Sequence, residues 1–394
     1  MINKNMYALG ANRSCIRELF EYGRQRVNLV GAENVFDYSL GNPSIPAPAG
    51  VNEAIHAVLN EMPSLAVHGY TSAPGDLGLR QAVAEDLNAR YGADVRASDL
   101  FVGCGAAPEL VSVIRALAVE NSEFIAVAPF FPEYRPFVES NGGRLVVVPA
   151  DIPDFQIDFA ALESALNANT QAIILNSPNN PSGVVYTREC LTELAALLTR
   201  KSEEFGHPIY IVSDEPYREL AYGVEVPFIP LIYPNTIVCY SYSKSLSLPG
   251  ERIGYVYVPG FAEDSAAVFA AIAGAARIMG HVCPPTLMQK VIEYCATERP
   301  DLVAYDENRE LLYNSLIEMG YECAKPDGAF YLFVKAPNGD ANAFSEKAKL
   351  EHNLLVVPAD GFGCPGFFRC SYCVANDMIR RSLPAFKAMI ESYK

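Results

Sequence analysis

Short, uninterrupted apolar runs alternate with amphipathic stretches through the middle of this 394-residue chain. Apolar runs without polar alternation are typical of strands covered on both faces, and therefore of a mostly parallel sheet. The stretches 108–119 and 191–205 have helical spacing, and each lies between two apolar runs, as a crossover between parallel strands requires. We therefore predict an α/β fold with helices flanking the sheet. The predicted strands are 100–102, 124–127, 145–148, 172–175, 208–212, 236–239 and 252–256.

The last quarter of the chain shows a different order of elements, which is typical of an α+β unit. Its predicted elements are a helix at about 299–319, a strand at 329–334, a helix at 341–352, a strand at 354–357 and a helix at 376–393. We expect this quarter to form a smaller α+β domain together with the N-terminal segment. The expected organisation is 1–48 in the small domain, 49–284 as the large domain and 285–394 as the C-terminal small domain.

Composition argues against several classes of protein. With 30 Lys and Arg against 46 Asp and Glu, the net charge is −16, whereas nucleic-acid binding needs clustered basic residues. Residues 1–5 contain no apolar signal core, and no run of ~20 apolar residues would span a membrane. The ten cysteines are scattered without a short paired framework. We therefore expect reduced thiols and a cytoplasmic location.

Three polar strings begin where predicted strands end. They occupy 176–183, 213–217 and 240–252. Any one of them is compatible with an ordinary turn, because Asn, Pro, Gly and Ser dominate turns. Three in succession, each carrying a different polar group, favour a ligand site, since open α/β sheets bind ligands outside the carboxyl ends of their strands.

Together the strings supply the groups that pyridoxal 5′-phosphate requires. The Lys244 amine can form a Schiff base with an aldehyde if its pKa is lowered, and the nearby Arg252 cation would help to lower it. Asp214, at a strand end, is the candidate partner for the pyridinium nitrogen. Such a partner keeps the nitrogen protonated, and the protonated ring acts as an electron sink. Ser241, Ser243 and Arg252 would hold the phosphate dianion.

These motifs carry a resemblance to a known family. The strings S-x-S-K-x-x-x-x-P-G-x-R-x-G-Y, N-x-P-x-N-P-S-G and D-x-x-Y resemble those of fold-type I, class I/II pyridoxal-phosphate-dependent aminotransferases, the aspartate aminotransferase-like family. The likeness covers nearly the whole chain. It implies that Lys244 is the catalytic Schiff-base lysine and that Asp214 pairs with the pyridinium nitrogen. It also implies that Tyr217 and Asn180 bind the phenolic oxygen of the cofactor.

The resemblance extends to the phosphate, the ring and the assembly. Gly105, Ala106 and Ala107 match the turn whose backbone N–H groups bind the phosphate, and a helix N-terminus suits such an anion. Phe131 matches the aromatic residue that stacks on the pyridine ring. Tyr70 matches a tyrosine that reaches the phosphate of the neighbouring subunit's cofactor, which implies a homodimer with sites at the interface.

Substrate binding is the less constrained part of the site. Arg369 matches the arginine that binds the substrate α-carboxylate, with Asn180 and Gly41 as further contacts, although a structural ion pair is an alternative role for Arg369. In the resembled family, dicarboxylate-specific members donate a second arginine across the interface to the side-chain carboxylate. Arg277 is the candidate for it, but its spacing to the Pro284-Pro285 pair does not clearly match, and a helix-terminal charge is the alternative. The amino donor and the keto acceptor stay open.

The function implied by the resemblance is transfer of an α-amino group from an amino acid to a 2-oxo acid, through a Lys244 aldimine and a pyridoxamine intermediate. A β-eliminating C–S lyase would use the same cofactor and lysine. A ligand-sensing regulator is disfavoured by the short N-terminus and the charge of −16, because it usually needs a DNA-binding segment. Cys370 and Cys373 form a C-x-x-C without a second pair, so no metal site is expected.

Overall fold

The computed structural model describes residues 1–11 and 15–394. Its helices are α1 (Lys4–Ala11), α2 (Cys15–Val30), α3 (Ala49–Glu61), α4 (Ser64–His68), α5 (Leu77–Tyr91), α6 (Ala106–Leu117), α7 (Tyr134–Glu139), α8 (Phe159–Ala165), α9 (Arg188–Phe205), α10 (Tyr242–Ser245), α11 (Ser265–Met279), α12 (Thr286–Cys295), α13 (Leu302–Met319), α14 (Ala341–His352) and α15 (Asn376–Glu391). Its strands are β1 (Phe36–Asp37), β2 (Leu100–Gly103), β3 (Glu123–Val127), β4 (Arg144–Val148), β5 (Thr170–Asn176), β6 (Tyr210–Asp214), β7 (Thr236–Ser241), β8 (Gly254–Tyr257), β9 (Tyr331–Lys335), β10 (Leu354–Leu355), β11 (Val357–Pro358) and β12 (Phe367–Ser371).

The large sheet has the order β2-β8-β7-β6-β5-β3-β4. Strands β4, β3, β5, β6 and β7 pair in parallel, whereas β8 is antiparallel to both β7 and β2. Each of the seven predicted apolar runs corresponds to one of these strands. The prediction of a mostly parallel α/β sheet is therefore confirmed.

Helices cover both faces of this sheet, which explains why its strands are apolar on both sides. Helices α6 and α11 pack on one face, and α8 and α9 cover the other. Helix α9 begins three residues before the predicted start, because the Thr187 side chain accepts a hydrogen bond from the Cys190 N–H and caps it there. It ends at Gly206, which adopts a left-handed conformation.

The smaller unit joins the two ends of the chain. Strand β1 pairs in parallel with β10, and β11, β12 and β9 form an antiparallel sheet. The strand predicted at 354–357 is divided in two, because β10 pairs with β1 whereas β11 pairs with β12. Helices α13, α14 and α15 pack around these strands in one hydrophobic core.

Helix α12 lies on the other side of the expected domain boundary. Its Met288, Val291 and Ile292 pack with α3 and α5 beside the edge of the large sheet, so α12 contacts the large unit rather than the small one. We therefore propose that the C-terminal unit begins after α12, and not at residue 285. Within the described part of the chain, no helix is both long and apolar enough to cross a membrane.

Candidate active site

A cavity of about 330 Å³ lies where β5, β6 and β7 end. The last residues of these strands, Asn176, Asp214 and Ser241, all line it, as expected for the carboxyl edge of an open α/β sheet. Of these three, Asp214 and Ser241 were predicted site residues. Ten further predicted residues line the cavity: Gly41, Ala106, Ala107, Phe131, Asn180, Tyr217, Ser243, Lys244, Arg252 and Arg369. The structure thus brings together residues from both units of the fold.

Asp214 is a buried carboxylate with one free oxygen. The Tyr134 hydroxyl donates to its Oδ2 over 2.6 Å, and the Asn176 amide donates to its backbone carbonyl over 2.8 Å. Its Oδ1 is buried and has no hydrogen-bond partner among the described residues. Burial raises the pKa of Asp214 to about 7, although the Tyr134 hydrogen bond lowers it. The free oxygen is suited to accept an N–H from a protonated pyridine ring, which fits pyridoxal phosphate.

Lys244 lies in the short helix α10, directly after β7. Its Nζ donates a hydrogen bond of 2.7 Å to the Gly41 carbonyl. The pKa of Lys244 is lowered to about 8, mainly by burial and to a smaller extent by the cations Arg369 and Arg252. Arg252 thus lowers the pKa of Lys244, as the sequence predicts, but desolvation of the amine is the larger cause. An amine with this pKa is partly neutral near pH 7 and can attack an aldehyde.

The part of the cavity beside the start of α6 is suited to bind an anion. Gly105 has a φ of +94° and precedes the first turn of α6, whose N–H groups have no intrahelical partners. A Cβ at Gly105 would lie 3.3 Å from Arg252 Nη2 and 3.5 Å from Ser241 Oγ. Ser241 Oγ and Ser243 Oγ are 2.6 Å apart. Backbone N–H groups, hydroxyls and a guanidinium therefore converge where a phosphate would fit.

Two tyrosines that line the cavity are hydrogen-bonded to each other. The hydroxyls of Tyr217 and Tyr331 are 2.7 Å apart. Burial raises the pKa of Tyr217, so its hydroxyl stays protonated and can donate. Tyr331 also closes the space above Gly41, because a Cβ at that position would clash with the Tyr331 hydroxyl.

Arg369, on β12, is a buried cation without an ionic partner. Only 2% of its surface is exposed, and no acidic side chain of the described residues pairs with it. Its Nη1 donates to Asn180 Oδ1 over 3.0 Å, its Nη2 donates to the Ser39 carbonyl, and its Nε has no partner. The guanidinium lies 4.7 Å from the centre of the Tyr331 ring. A structural ion pair is thus not its role here, and its free donors suit a carboxylate.

Three predicted positions lie outside the lining of the cavity. Gly105 lies next to two lining residues, Arg252 and Ser241. Tyr70 is 97% exposed in the single chain, and Arg277 is exposed in the last turn of α11. Neither of these two exposed residues reaches the site of its own chain.

Sequence reasoning gave no role to several residues of the site. They are Ile16, Leu40, Tyr134, Asn176 and Tyr331. Asn176 opens the first polar string and could have been found from its place at a strand end. Tyr134 and Tyr331 lie in apolar surroundings, where a tyrosine is ordinarily a core residue. No local signal distinguishes them.

Comparisons with known proteins agree with this geometry. The family model "Aminotransferase class I and II" matches residues 33–386. An aspartate aminotransferase of Thermotoga maritima is 29% identical over 91% of this chain and 92% of its own length. An aromatic-amino-acid aminotransferase of Thermococcus litoralis is 27% identical over 97% of each chain.

Solved structures give the same result. The crystal structure of an amino transferase from Eubacterium rectale is 55% identical, with a TM-score of 0.98, over 100% of this chain and 99% of the other. Aspartate aminotransferase from Thermus thermophilus, with maleate, is 25% identical, with a TM-score of 0.87, over 99% of each chain. The chain therefore belongs to the class I and II aminotransferase family, and it is a transaminase that uses pyridoxal 5′-phosphate.

Proposed function

We propose that the cavity around Lys244 is where this enzyme binds pyridoxal 5′-phosphate and moves the α-amino group of an amino acid to a 2-oxo acid. One observation carries the proposal: three charged groups in one cavity each lack the partner that this chemistry supplies. Asp214 has an unbonded Oδ1, Lys244 is a buried amine, and Arg369 is a buried cation without a carboxylate.

The chain's own residues would hold the cofactor by its polar groups. Asp214 keeps a proton on the ring nitrogen, and Tyr217 and Asn180 donate to the phenolic oxygen. When bound, the cofactor supplies an electron-withdrawing ring that accepts the electron pair left when the α-carbon loses its proton. Phe131, which lines the cavity, would stack on the ring.

The phosphate would be held at the other end of the cavity. The backbone N–H groups of Gly105–Ala107 face it at the start of α6, and Ser241, Ser243 and Arg252 add hydroxyls and a positive charge. This arrangement is supported by the convergence of the Gly105 backbone with Arg252 and Ser241. A dianion is stabilised there both by the helix terminus and by charge-assisted hydrogen bonds.

Arg369 and Lys244 would act on the substrate itself. Arg369 would bind the α-carboxylate with its planar fork, while Asn180 orients the guanidinium. Gly41 would be a further contact of the same carboxylate. The α-carbon would then face the Lys244 amine, which would remove its proton and deliver it to the aldehyde carbon of the cofactor. In the second half-reaction the same amine would move a proton the opposite way, to the α-carbon derived from the 2-oxo acid.

Amino-group transfer is preferred over β-elimination. The relatives named above are aminotransferases by name, which supports transfer rather than a C–S lyase. An assay with and without a 2-oxo acid separates the two. With cystathionine as the donor, a transaminase converts one donor per site and stops without the acceptor, whereas a lyase continues and releases pyruvate and ammonia.

We also propose that the enzyme is a homodimer in which Tyr70 reaches the phosphate in the other subunit. The nearly complete exposure of Tyr70 in the single chain supports this role. The ten unpaired cysteines suit a reducing compartment, so we place the enzyme in the cytoplasm.

Borohydride trapping tests the central assignment. Reduction of the loaded enzyme should leave the cofactor covalently attached to the peptide that contains Lys244. A Lys244→Ala variant should bind the cofactor without any such label. Attachment to a different lysine in the wild-type enzyme contradicts the proposed function.

A further inference from the structure

We infer that Tyr331 is a positioning residue for Tyr217: its hydroxyl donates a hydrogen bond to the Tyr217 hydroxyl and thereby directs the Tyr217 proton to the phenolic oxygen of the cofactor. The inference rests on the proposed function, because it takes Tyr217 as a ligand of that oxygen. It adds a residue of the smaller unit, from strand β9, to the groups that control the cofactor.

The number of protons in this pair of hydroxyls is the first argument. The two hydroxyl oxygens are 2.7 Å apart, and either one can be the donor. A tyrosine hydroxyl has one proton to donate, and its oxygen can accept another. When the Tyr217 proton is used for the phenolic oxygen, the bond between the two hydroxyls persists only if Tyr331 donates it. The proposed role of Tyr217 therefore fixes the direction of this hydrogen bond.

The packing around the pair is the second argument. Tyr331 is 2% exposed and Tyr217 is 5% exposed, and in the described part of the chain the Tyr331 hydroxyl is hydrogen-bonded to Tyr217. The Gly41 backbone closes the space on the other side of the Tyr331 hydroxyl. The Tyr217 ring is held by edge contacts with the rings of Phe330 and Tyr331, whose centres lie 5.5 and 5.6 Å away. Both hydroxyls are thus fixed in place without water between them.

The charge beside Tyr331 is the third argument. The Arg369 guanidinium lies 4.7 Å from the centre of the Tyr331 ring. Burial raises the pKa of Tyr331 to about 12, although Arg369 lowers it, so the hydroxyl keeps its proton and the cation favours donation of that proton. A hydroxyl that accepts a hydrogen bond is polarised and becomes a stronger donor itself. Tyr331 therefore strengthens the bond that Tyr217 makes to the phenolic oxygen.

The pKa of the nitrogen that joins Lys244 to the cofactor reports the strength of that bond. A donor to the phenolic oxygen withdraws negative charge from it, so the oxygen holds the proton of the neighbouring nitrogen less firmly. Loss of the donor therefore raises the pKa of the nitrogen. We expect Tyr217→Phe to raise it by about 1 to 2, since a hydrogen bond to a charged oxygen is lost. Tyr331→Phe should raise it by about 0.3, because only the polarisation is lost.

A double-mutant cycle shows whether Tyr331 acts through Tyr217. We would titrate the absorbance of the loaded, substrate-free enzyme between about pH 5 and pH 10 in the wild type, in both single variants and in the double variant. The effect of Tyr331→Phe should disappear when Tyr217 is already phenylalanine. Asp214, whose pKa burial raises to about 7, and the neighbours Cys373 and Tyr305 are present in all four proteins, so their contributions cancel.

Tyr321→Phe is the matched control. Tyr321 is a buried tyrosine of the same hydrophobic core, but its hydroxyl donates to the Phe386 carbonyl over 2.8 Å, and it lies outside the cavity lining. Loss of this hydroxyl should leave the titration unchanged.

The outcomes separate the inference from the proposed function. If Tyr217→Phe raises the pKa and Tyr331→Phe does not, the inference is wrong and the proposed function stands. An effect of Tyr331→Phe that is equally large without Tyr217 also overturns the inference, and so does a rise in KM alone, which would assign the Tyr331 hydroxyl to the substrate. If Tyr217→Phe leaves the pKa unchanged, the role of Tyr217 in the proposed function fails as well.

Discussion

The Tyr134 hydroxyl donates a hydrogen bond of 2.6 Å to Oδ2 of Asp214 and thereby orients the carboxylate so that Oδ1 is left for another donor. The two residues come from different elements, α7 and β6, so their relationship exists only in the folded chain. It leaves Asp214 Oδ1 available for the role that we propose for it, binding the ring nitrogen of the cofactor.

Asp214→Asn should bind the cofactor but lower the turnover rate by about 100-fold or more, because a neutral amide does not stabilise a protonated ring nitrogen. Single-turnover kinetics with a good amino donor measure the effect. Tyr134→Phe keeps the Asp214 carboxyl group and removes only the hydrogen bond that orients it, so we expect a smaller loss than in Asp214→Asn. Turnover of Asp214→Asn within a fewfold of wild type would rule out the role given to Asp214.

Asp214→Asn should also stabilise the cofactor-free enzyme against unfolding, and the gain in stability should depend on pH. Burial raises the pKa of Asp214 in the folded chain to about 7 from an ordinary value of 3.8. The folded state therefore loses stability as pH rises from 3.8 through about 7, because a buried charge forms there. Asparagine carries no such charge.

Thermal unfolding of the cofactor-free proteins checks this. At pH 8 the Tm of Asp214→Asn should exceed that of wild type by about 2–4 °C. At pH 5 the difference should be smaller, since the wild-type carboxyl is then mostly neutral when folded. An equal or larger gain at pH 5 would contradict the assigned protonation behaviour.

Capture of the cofactor should follow the lowered pKa of Lys244. Since burial lowers that pKa to about 8 from 10.5, the rate at which the cofactor-free enzyme bonds covalently to pyridoxal phosphate should rise with pH and level off above about 8. Stopped-flow absorbance measures this rate. Nα-acetyllysine serves as the control and should continue to accelerate up to about 10. A plateau for the enzyme at that higher pH would show that desolvation does not govern Lys244.

Arg369→Lys should raise the KM for every α-amino acid while the absorbance spectrum of the resting enzyme stays unchanged. Lysine keeps the charge but loses the two-pronged contact that places the α-carbon over Lys244. Misplacement by about 1 Å can cost ~100-fold, so turnover should fall too. Steady-state kinetics with a neutral and an acidic donor measure both effects. Unchanged kinetics would remove the α-carboxylate role from Arg369.

Mixing two inactive variants tests whether Tyr70 acts across a dimer interface. Lys244→Ala lacks the proposed catalytic amine, and Tyr70→Ala should lose activity at limiting cofactor. A mixed dimer has one complete site only if Tyr70 serves the other subunit, so refolding the two variants together should restore roughly a quarter of wild-type activity, as expected for one intact site in half of the dimers. If the mixture stays inactive, Tyr70 acts within its own chain or not at all.

The extent to which the fold could be predicted depended on how local each signal was. The seven apolar runs predicted the seven strands of the large sheet, because a strand covered on both faces is apolar along its whole length. The strand predicted at 354–357 is instead β10 and β11, and α12 packs with α3 and α5. The division of the strand and the packing of α12 both depend on segments that are distant in the chain. The periodicity of a local sequence contains no information about such partners.

The amino-acid sequence by itself predicted the α/β class, the large sheet and the residues Lys244, Asp214 and Arg252. Asp214 ends β6 and Lys244 follows β7 closely, so both lie where parallel strands meet at one edge of the sheet, and Arg252 belongs to the same polar string as Lys244. Only the tertiary structure decided how they behave. Burial, more than the neighbouring Arg252, lowers the pKa of Lys244, and Tyr134 orients Asp214. Desolvation and hydrogen bonds between distant segments arise only when the chain closes around the site, so no local pattern encodes them.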